Sequence, residues 1–314
     1  MIGIIMAIIV IFIVAVLIVS EKVFEQTNYY KNNYGSTEKL KGTKKVDFVN
    51  TGSTFAYYGF DYEAVRVKGL NLALCPQSIE QDFKMLKHYE NRYNPGATIF
   101  IVISDLAFAK KGYKETKTSE KYYKVLDMNE IDDYNPLKAI RAKYLPVLYC
   151  WKNFLRFYKD IEPDNEYKLK VNENDREAVE ADANKRCKAW MHEFNFTDLS
   201  DAFQGKRFDD AFAYTTTIVE KMITWCKEKG FNPVIVNLPV ASEMICNFSQ
   251  EFLNAFYYEN IKKIVQECRV EFIDLQKNEK LSNYLLYLDS CRLNKIGREI
   301  ITKLLLVKGG RIRK

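Results

Sequence analysis

Val46-Asp47-Phe48-Val49-Asn50-Thr51-Gly52-Ser53-Thr54-Phe55-Ala56-Tyr57-Tyr58-Gly59-Phe60-Asp61 starts as a short apolar run and breaks at Asn50-Thr51-Gly52. Two adjacent hydroxyl residues, Ser53 and Thr54, then precede an aromatic residue, a small one and a tyrosine pair. A strand that ends in a tight glycine turn, with a hydroxyl opening the next element, is how many α/β hydrolytic folds present a nucleophile. An ordinary strand end followed by a Ser/Thr helix cap has the same pattern, and a motif this short does not separate the two.

Outward from this stretch, short apolar runs alternate with helical periodicity. Gly69-Leu70-Asn71-Leu72-Ala73-Leu74 reads as a second strand, closed by Cys75-Pro76. A helix is expected from about Ser78 to Tyr93, with Ile79, Phe83, Leu86 and Tyr89 at helical spacing and Ser78 as its cap. Thr98 to Ser104 is apolar on both faces, as a central parallel strand should be. Pro233 to Pro239 and Val270 to Leu275 read as the last two strands. Helices are expected at about 211–229, 250–268 and 294–307. Such alternation predicts an α/β fold with a parallel sheet covered on both faces. Ligands bind such folds outside the carboxyl ends of the strands, where Gly52, Cys75, Ser104, Pro239 and Leu275 fall. Residues 109–209 break the alternation as a Lys-rich, aromatic, helical insertion. Its dense cluster (Tyr144, Leu145, Val147, Leu148, Trp151, Phe154, Leu155, Phe157) is expected to pack against the strand ends.

Residues 2–20 carry no charge and match the roughly 20 residues a helix needs to cross a bilayer. No basic start or clear small-residue cleavage site accompanies them, which favours an uncleaved single-pass anchor over a signal peptide. Residues 21–45 are polar and read as a linker or stalk, leaving 46–314 as the body. Lysines follow the anchor and none precedes it, a bias toward a cytoplasmic body. The net charge of +6 combines 47 basic with 41 acidic residues along the 314-residue chain, with no concentrated basic stripe, so no nucleic-acid partner is expected. Seven cysteines, with no CxxC or metal spacing, predict buried thiols rather than a disulfide framework. Neither a phosphate loop, nor a dinucleotide fingerprint, nor HExxH occurs, and no cofactor or metal is expected.

Near the C-terminus stands Tyr287-Leu288-Asp289-Ser290-Cys291-Arg292-Leu293-Asn294-Lys295-Ile296-Gly297-Arg298-Glu299. Together with Asn50-Thr51-Gly52-Ser53-Thr54 it resembles the SGNH (GDSL-like) hydrolase superfamily, and more narrowly its membrane-anchored members associated with bacterial surface polysaccharides. The resemblance spans roughly 46–307 in element order. It implies a three-layer, flavodoxin-like α/β/α sheet and an esterase or O-acyltransferase class of activity. It also implies an extracytoplasmic body, opposing the charge bias. Partners implied are the membrane, an acyl-modified or anionic surface glycan, and other envelope-assembly proteins.

In the family a Gly-x-Ser supplies the nucleophile and an Asp-x-x-His the acid and base. Here the nucleophile position falls on Thr54, with Ser53 in the middle; Asp289 is retained, and the base position falls on Arg292. Gly52, Gln77, Ser78, Ser104 and Asn294 are the expected ligand-binding positions, with Gln77 or Ser78 as a substitute hydrogen-bond donor. No Asn stands near Ser104-Asp105, where the family places one. A hydroxyl needs an adjacent base, and arginine stays protonated and cannot serve. Asp289 with Arg292 is therefore expected to form a salt bridge. The two histidines, His88 and His192, could supply a base only if the fold brought one to the site. The expectation is a cleft with a degenerate triad, either a weak enzyme or a binding scaffold for a glycan or a protein.

Overall fold

The computed structural model describes residues 2–109, 119–150, 175–200 and 208–309. They form two compact units, Met1–Lys41 with Glu115–Glu166 and Gly42–Lys114 with Tyr167–Lys314.

The larger unit holds a five-stranded parallel sheet: β1 (Val46–Asn50), β2 (Gly69–Asn71), β3 (Tyr93–Val102), β4 (Asn232–Asn237) and β5 (Glu271–Asp274), in the order β2-β1-β3-β4-β5. The register pairs Asn50 with Asn71 and Phe100, Val102 with Val236, and Asn237 with Asp274. All five carboxyl ends therefore meet along one edge. Helices cover both faces, which is why the strands are apolar on both sides. Phe48, Phe100, Val234, Val236 and Ile273 face a core completed by Ile301 and Leu305 of the helix Lys295–Lys308. Ile99, Ile101 and Ile235 alternate with them, are fully buried, and lie on the opposite face. Each such buried side chain stabilises the fold by about 1.5–3 kcal/mol.

The helices expected at about 211–229 and 294–307 are present as Asp209–Glu228 and Lys295–Lys308. The one expected from Ser78 to Tyr93 is shorter, Ile79–His88, because a 3-10 turn at Glu90–Arg92 ends it and Tyr93 opens β3; Ser78 caps it by accepting from the Gln81 amide at 3.4 Å. The stretch expected as one helix over 250–268 is instead interrupted by a π-turn at Asn254–Tyr258. The extra residue lets Phe252 and Phe256 stack at 4.2 Å while Tyr257 reaches the Ile103 carbonyl at 3.1 Å. Cys187, Cys226 and Cys291 are buried free thiols, as expected, whereas Cys246 is exposed.

The smaller unit alters the reading of two segments. Residues 21–45 are not an extended polar stalk. The helix Ile2–Glu25 runs on through Glu21 and Phe24, and a Thr27-capped helix (Asn28–Asn33) and a 3-10 turn (Gly35–Leu40) follow it. Phe24 and Tyr34 are fully buried with Tyr123, Ala142 and Val147. Polarity misled here because tyrosines bury their rings while their hydroxyls find partners, as Tyr34 does with Glu120 at 2.9 Å. The insertion is likewise split. Its 119–150 part belongs to this unit, with Val147 and Leu148 in its core and Tyr144 exposed. Its later helix, Arg176–Phe194, belongs to the larger unit. Trp151, Phe154, Leu155 and Phe157 lie outside the described residues.

Candidate functional site

A cavity of about 290 Å³ opens at the carboxyl edge of the sheet, within the larger unit. Its floor is the end of β1 and the turn after it. Gly52 has φ +121°, and a Cβ there would lie 2.7 Å from the Ala56 Cβ and 3.1 Å from the Val102 Cβ, so only glycine fits. Its amide donates to Asp82 at 2.7 Å, and Asn71 ties the end of β2 to the Ala56 and Tyr57 carbonyls at 3.2 Å. Ser53 and Thr54 are thereby held at the mouth of the turn, both lining the cavity. An aromatic wall of Phe55, Trp190 and Phe248, with ring centroids 6.5 and 6.4 Å apart, comes from three separate elements. Ser104 and Asp105 after β3, Asn237 at the end of β4, and Arg186 and Glu193 from the helix Arg176–Phe194 supply polar lining.

The expected binding residues divide on their hydrogen bonds. The Gln77 side chain is buried and donates to Asp82 at 2.6 Å and to the Gly52 and Leu72 carbonyls, and its backbone amide donates to Ser53 Oγ at 3.0 Å. Gln77 is thus a brace rather than a donor to a ligand. Ser78 lines the cavity while capping its helix. Ser104 also lines it. Asn294 does not: it caps the last helix by accepting from Gly297, and its amide donates to the Leu285 carbonyl at 2.8 Å.

The catalytic expectation fares in a definite way. Thr54 lines the cavity, and its hydroxyl has no hydrogen-bond partner among the described residues. Asp289 lies outside the lining and is 3% exposed. Its Oδ1 accepts from the Cys291 and Arg292 amides at 2.9 and 2.8 Å. Its Oδ2 accepts from Arg292 Nε at 2.5 Å and Arg186 Nη2 at 2.6 Å. A carboxylate offers about four acceptor positions, so this one is saturated. Arg292 also stacks over Tyr58 at 5.3 Å, away from the cavity. Neither histidine lines the cavity: His88 ends the helix Ile79–His88, and His192 is an exposed residue of the last turn of Arg176–Phe194.

Arg186 joins Asp289 to Asp182, which it meets at 2.7 Å, and Asp182 also accepts from Ser290 Oγ at 2.6 Å. Burial alone would push the Asp182 carboxyl up, but the bonds from Arg186 and Ser290 outweigh it and hold its pKa below the ordinary value. Burial pushes the Cys291 thiol up to about 12, so it stays a protonated, unreactive wall residue. Asp105 behaves oppositely to Asp182. Burial, with Asp274 nearby, raises its pKa to about 7 although Asn237 donates to it at 3.3 Å.

Sequence reasoning missed Asp105, Trp190 and the Asp182–Arg186–Asp289 chain. Asp182, Arg186 and Trp190 recur at four-residue spacing, but inside a Lys/Glu-rich helix that reads as solvated. No protein-family model matches this chain, and no curated protein is similar to it in sequence.

Proposed function

We propose that this chain is a membrane-anchored envelope protein whose SGNH-like α/β domain binds an acylated surface glycan without cleaving it. The observation that carries the reading is the saturated Asp289. Its four acceptor positions are filled by two arginines and two amides, and the Thr54 hydroxyl has no hydrogen-bond partner among the described residues. Loss of triad members lowers rates by several orders of magnitude, while a cavity with an aromatic wall and convergent polar groups is what a small acyl or sugar group requires. The strand order β2-β1-β3-β4-β5 is that of doubly wound flavodoxin-like sheets and supports the architectural kinship. The helix Ile2–Glu25 is long and apolar enough to cross a membrane. Retention of that helix as an anchor is supported at its far end. There Glu21 accepts from the Val147 amide at 2.9 Å and Phe24 is fully buried, so cleavage after this point would remove core residues. Other envelope-assembly proteins are natural partners for a binding module of this kind.

The test uses the full chain in detergent. Methyl 6-O-acetylglucoside is expected to bind by calorimetry, with the deacetylated glucoside weaker, and p-nitrophenyl acetate is expected to turn over no faster than in buffer. Parent turnover abolished by Thr54→Ala would overturn the reading in favour of an active esterase or O-acyltransferase.

A further inference from the structure

Two carboxyl groups share one side-chain amide nitrogen at the carboxyl edge of the sheet. Asn237 Nδ2 donates to Asp105 Oδ1 and to Asp274 Oδ1, each at 3.3 Å. The two acids are otherwise unlike. Asp274 also accepts from the Gln276 amide at 3.1 Å and lies 3.7 Å from Lys277 Nζ. Asp105 has no cation and no second hydrogen-bond partner among the described residues. Val102, Ile103, Leu106 and Leu238 supply apolar lining to the same cavity. When two neighbouring acids cannot both ionise cheaply, the one without a compensating charge holds the proton.

The other charged and titratable groups around Asp105 leave this assignment in place. Arg186 is engaged by Asp182 and Asp289, and Asp82 by Gly52 and Gln77. Glu80 and Glu193 line the cavity as further acids, and Tyr257 is turned to the Ile103 carbonyl. Arg186 thus brings no free charge to Asp105, and the acids add negative potential to its side of the cavity. Tyr257 and Tyr258, which lie near both Asp105 and Asp274, are phenols whose pKa burial raises.

Resting on the cavity being a ligand site, we infer that Asp105 engages the ligand as a neutral carboxylic acid. It donates a hydrogen bond from Oδ2 to the carbonyl oxygen of an ester-linked acyl group. Oδ1 is fixed by Asn237, so the proton sits on the oxygen that has no partner among the described residues. The register places this group beside the turn after β1: Asn50 pairs with Phe100, and a Cβ on Gly52 would lie 3.3 Å from the Val102 carbonyl oxygen. Asp105 and the unpartnered hydroxyl of Thr54 thus line one cavity from neighbouring strand ends. The acyl chain has the aromatic wall to lie against. A cavity so charged disfavours a carboxylate or phosphate ligand and selects the uncharged ester.

The consequence is an affinity controlled by pH. The group has its proton below about 7 and loses it above. Only the protonated form donates, so affinity should fall about tenfold between about pH 6 and about pH 8. Calorimetric titration of the full chain with methyl 6-O-acetylglucoside reads this directly. Asp105→Asn keeps the shape and carries a permanent amide donor, so it should bind as tightly as the parent does at the lower pH and show no pH dependence. Asp105→Ala should bind weakly throughout. A pH profile in Asp105→Asn equal to the parent's, binding that survives in Asp105→Ala, or parent affinity that rises with pH would each overturn the assignment while sparing the cavity as a ligand site. Absence of binding in both the parent and Asp105→Asn at the lower pH would remove the ligand site itself, and this role with it.

Discussion

Asp289 shows how its neighbours decide what a carboxylate does. It is the anionic hub between two guanidinium groups and two amides. Removing a partner from a buried ion network leaves uncompensated charge, at a cost of about 3–5 kcal/mol. Asp289→Ala should therefore lower the unfolding free energy by about that much, read as a lower midpoint in urea. Arg292→Met should cost less, because Arg186 still meets the carboxylate. Equal losses from the two variants would mean that Arg186 does not share the charge. Gly52 is the other decisive residue, since its positive φ and the nearness of Ala56 and Val102 exclude any side chain.

At the scale of elements, the helix Arg176–Phe194 does what its composition conceals. Asp175 caps it by accepting from the Ala178 amide, and the left-handed Asn195 ends it. Val179, Ala183 and Cys187 form its buried stripe at four-residue spacing, narrow because the residues are small. The same spacing carries Asp182, Arg186 and Trp190 along a neighbouring line, so one helix supplies two members of the ion network and the central ring of the aromatic wall. Trp190 is only partly buried, and its ring touches Phe55 and Phe248. Trp190→Ala is expected to weaken binding of the acetylated glucoside roughly five- to tenfold, from about 1 kcal/mol of lost aromatic contact, with a small effect on stability. Unchanged affinity measured by calorimetry would place the ligand away from this wall.

For the whole molecule, the N-terminal helix belongs to two environments. Its first part is apolar and exposed, suited to lipid, while Glu21 and Phe24 are built into the smaller unit. The full chain should co-float with vesicles, and deletion of residues 2–19 should leave it in the aqueous fraction. Deletion through Glu25 should in addition loosen the tyrosine cluster around Tyr30, Tyr34 and Tyr123, seen as lost near-ultraviolet dichroism. Intact dichroism after the longer deletion would show that the helix end is dispensable to this unit.

The sequence by itself determined the parallel α/β sheet, the apolar N-terminal helix, the Ser78 cap and the impossibility of Arg292 acting as a base. Each of these follows from local periodicity, from capping chemistry or from the charge state of one side chain. Only the tertiary structure decided that residues 21–45 fold rather than extend, and that the insertion divides between two units. It alone also brought Arg186, 103 residues from Asp289 along the chain, into contact with that carboxylate. Asp105 was visible as an acid at a strand end, but its missing cation was not. That absence depends on which side chains the neighbouring strands and helices deliver around it, and desolvation is a property of the assembled surroundings.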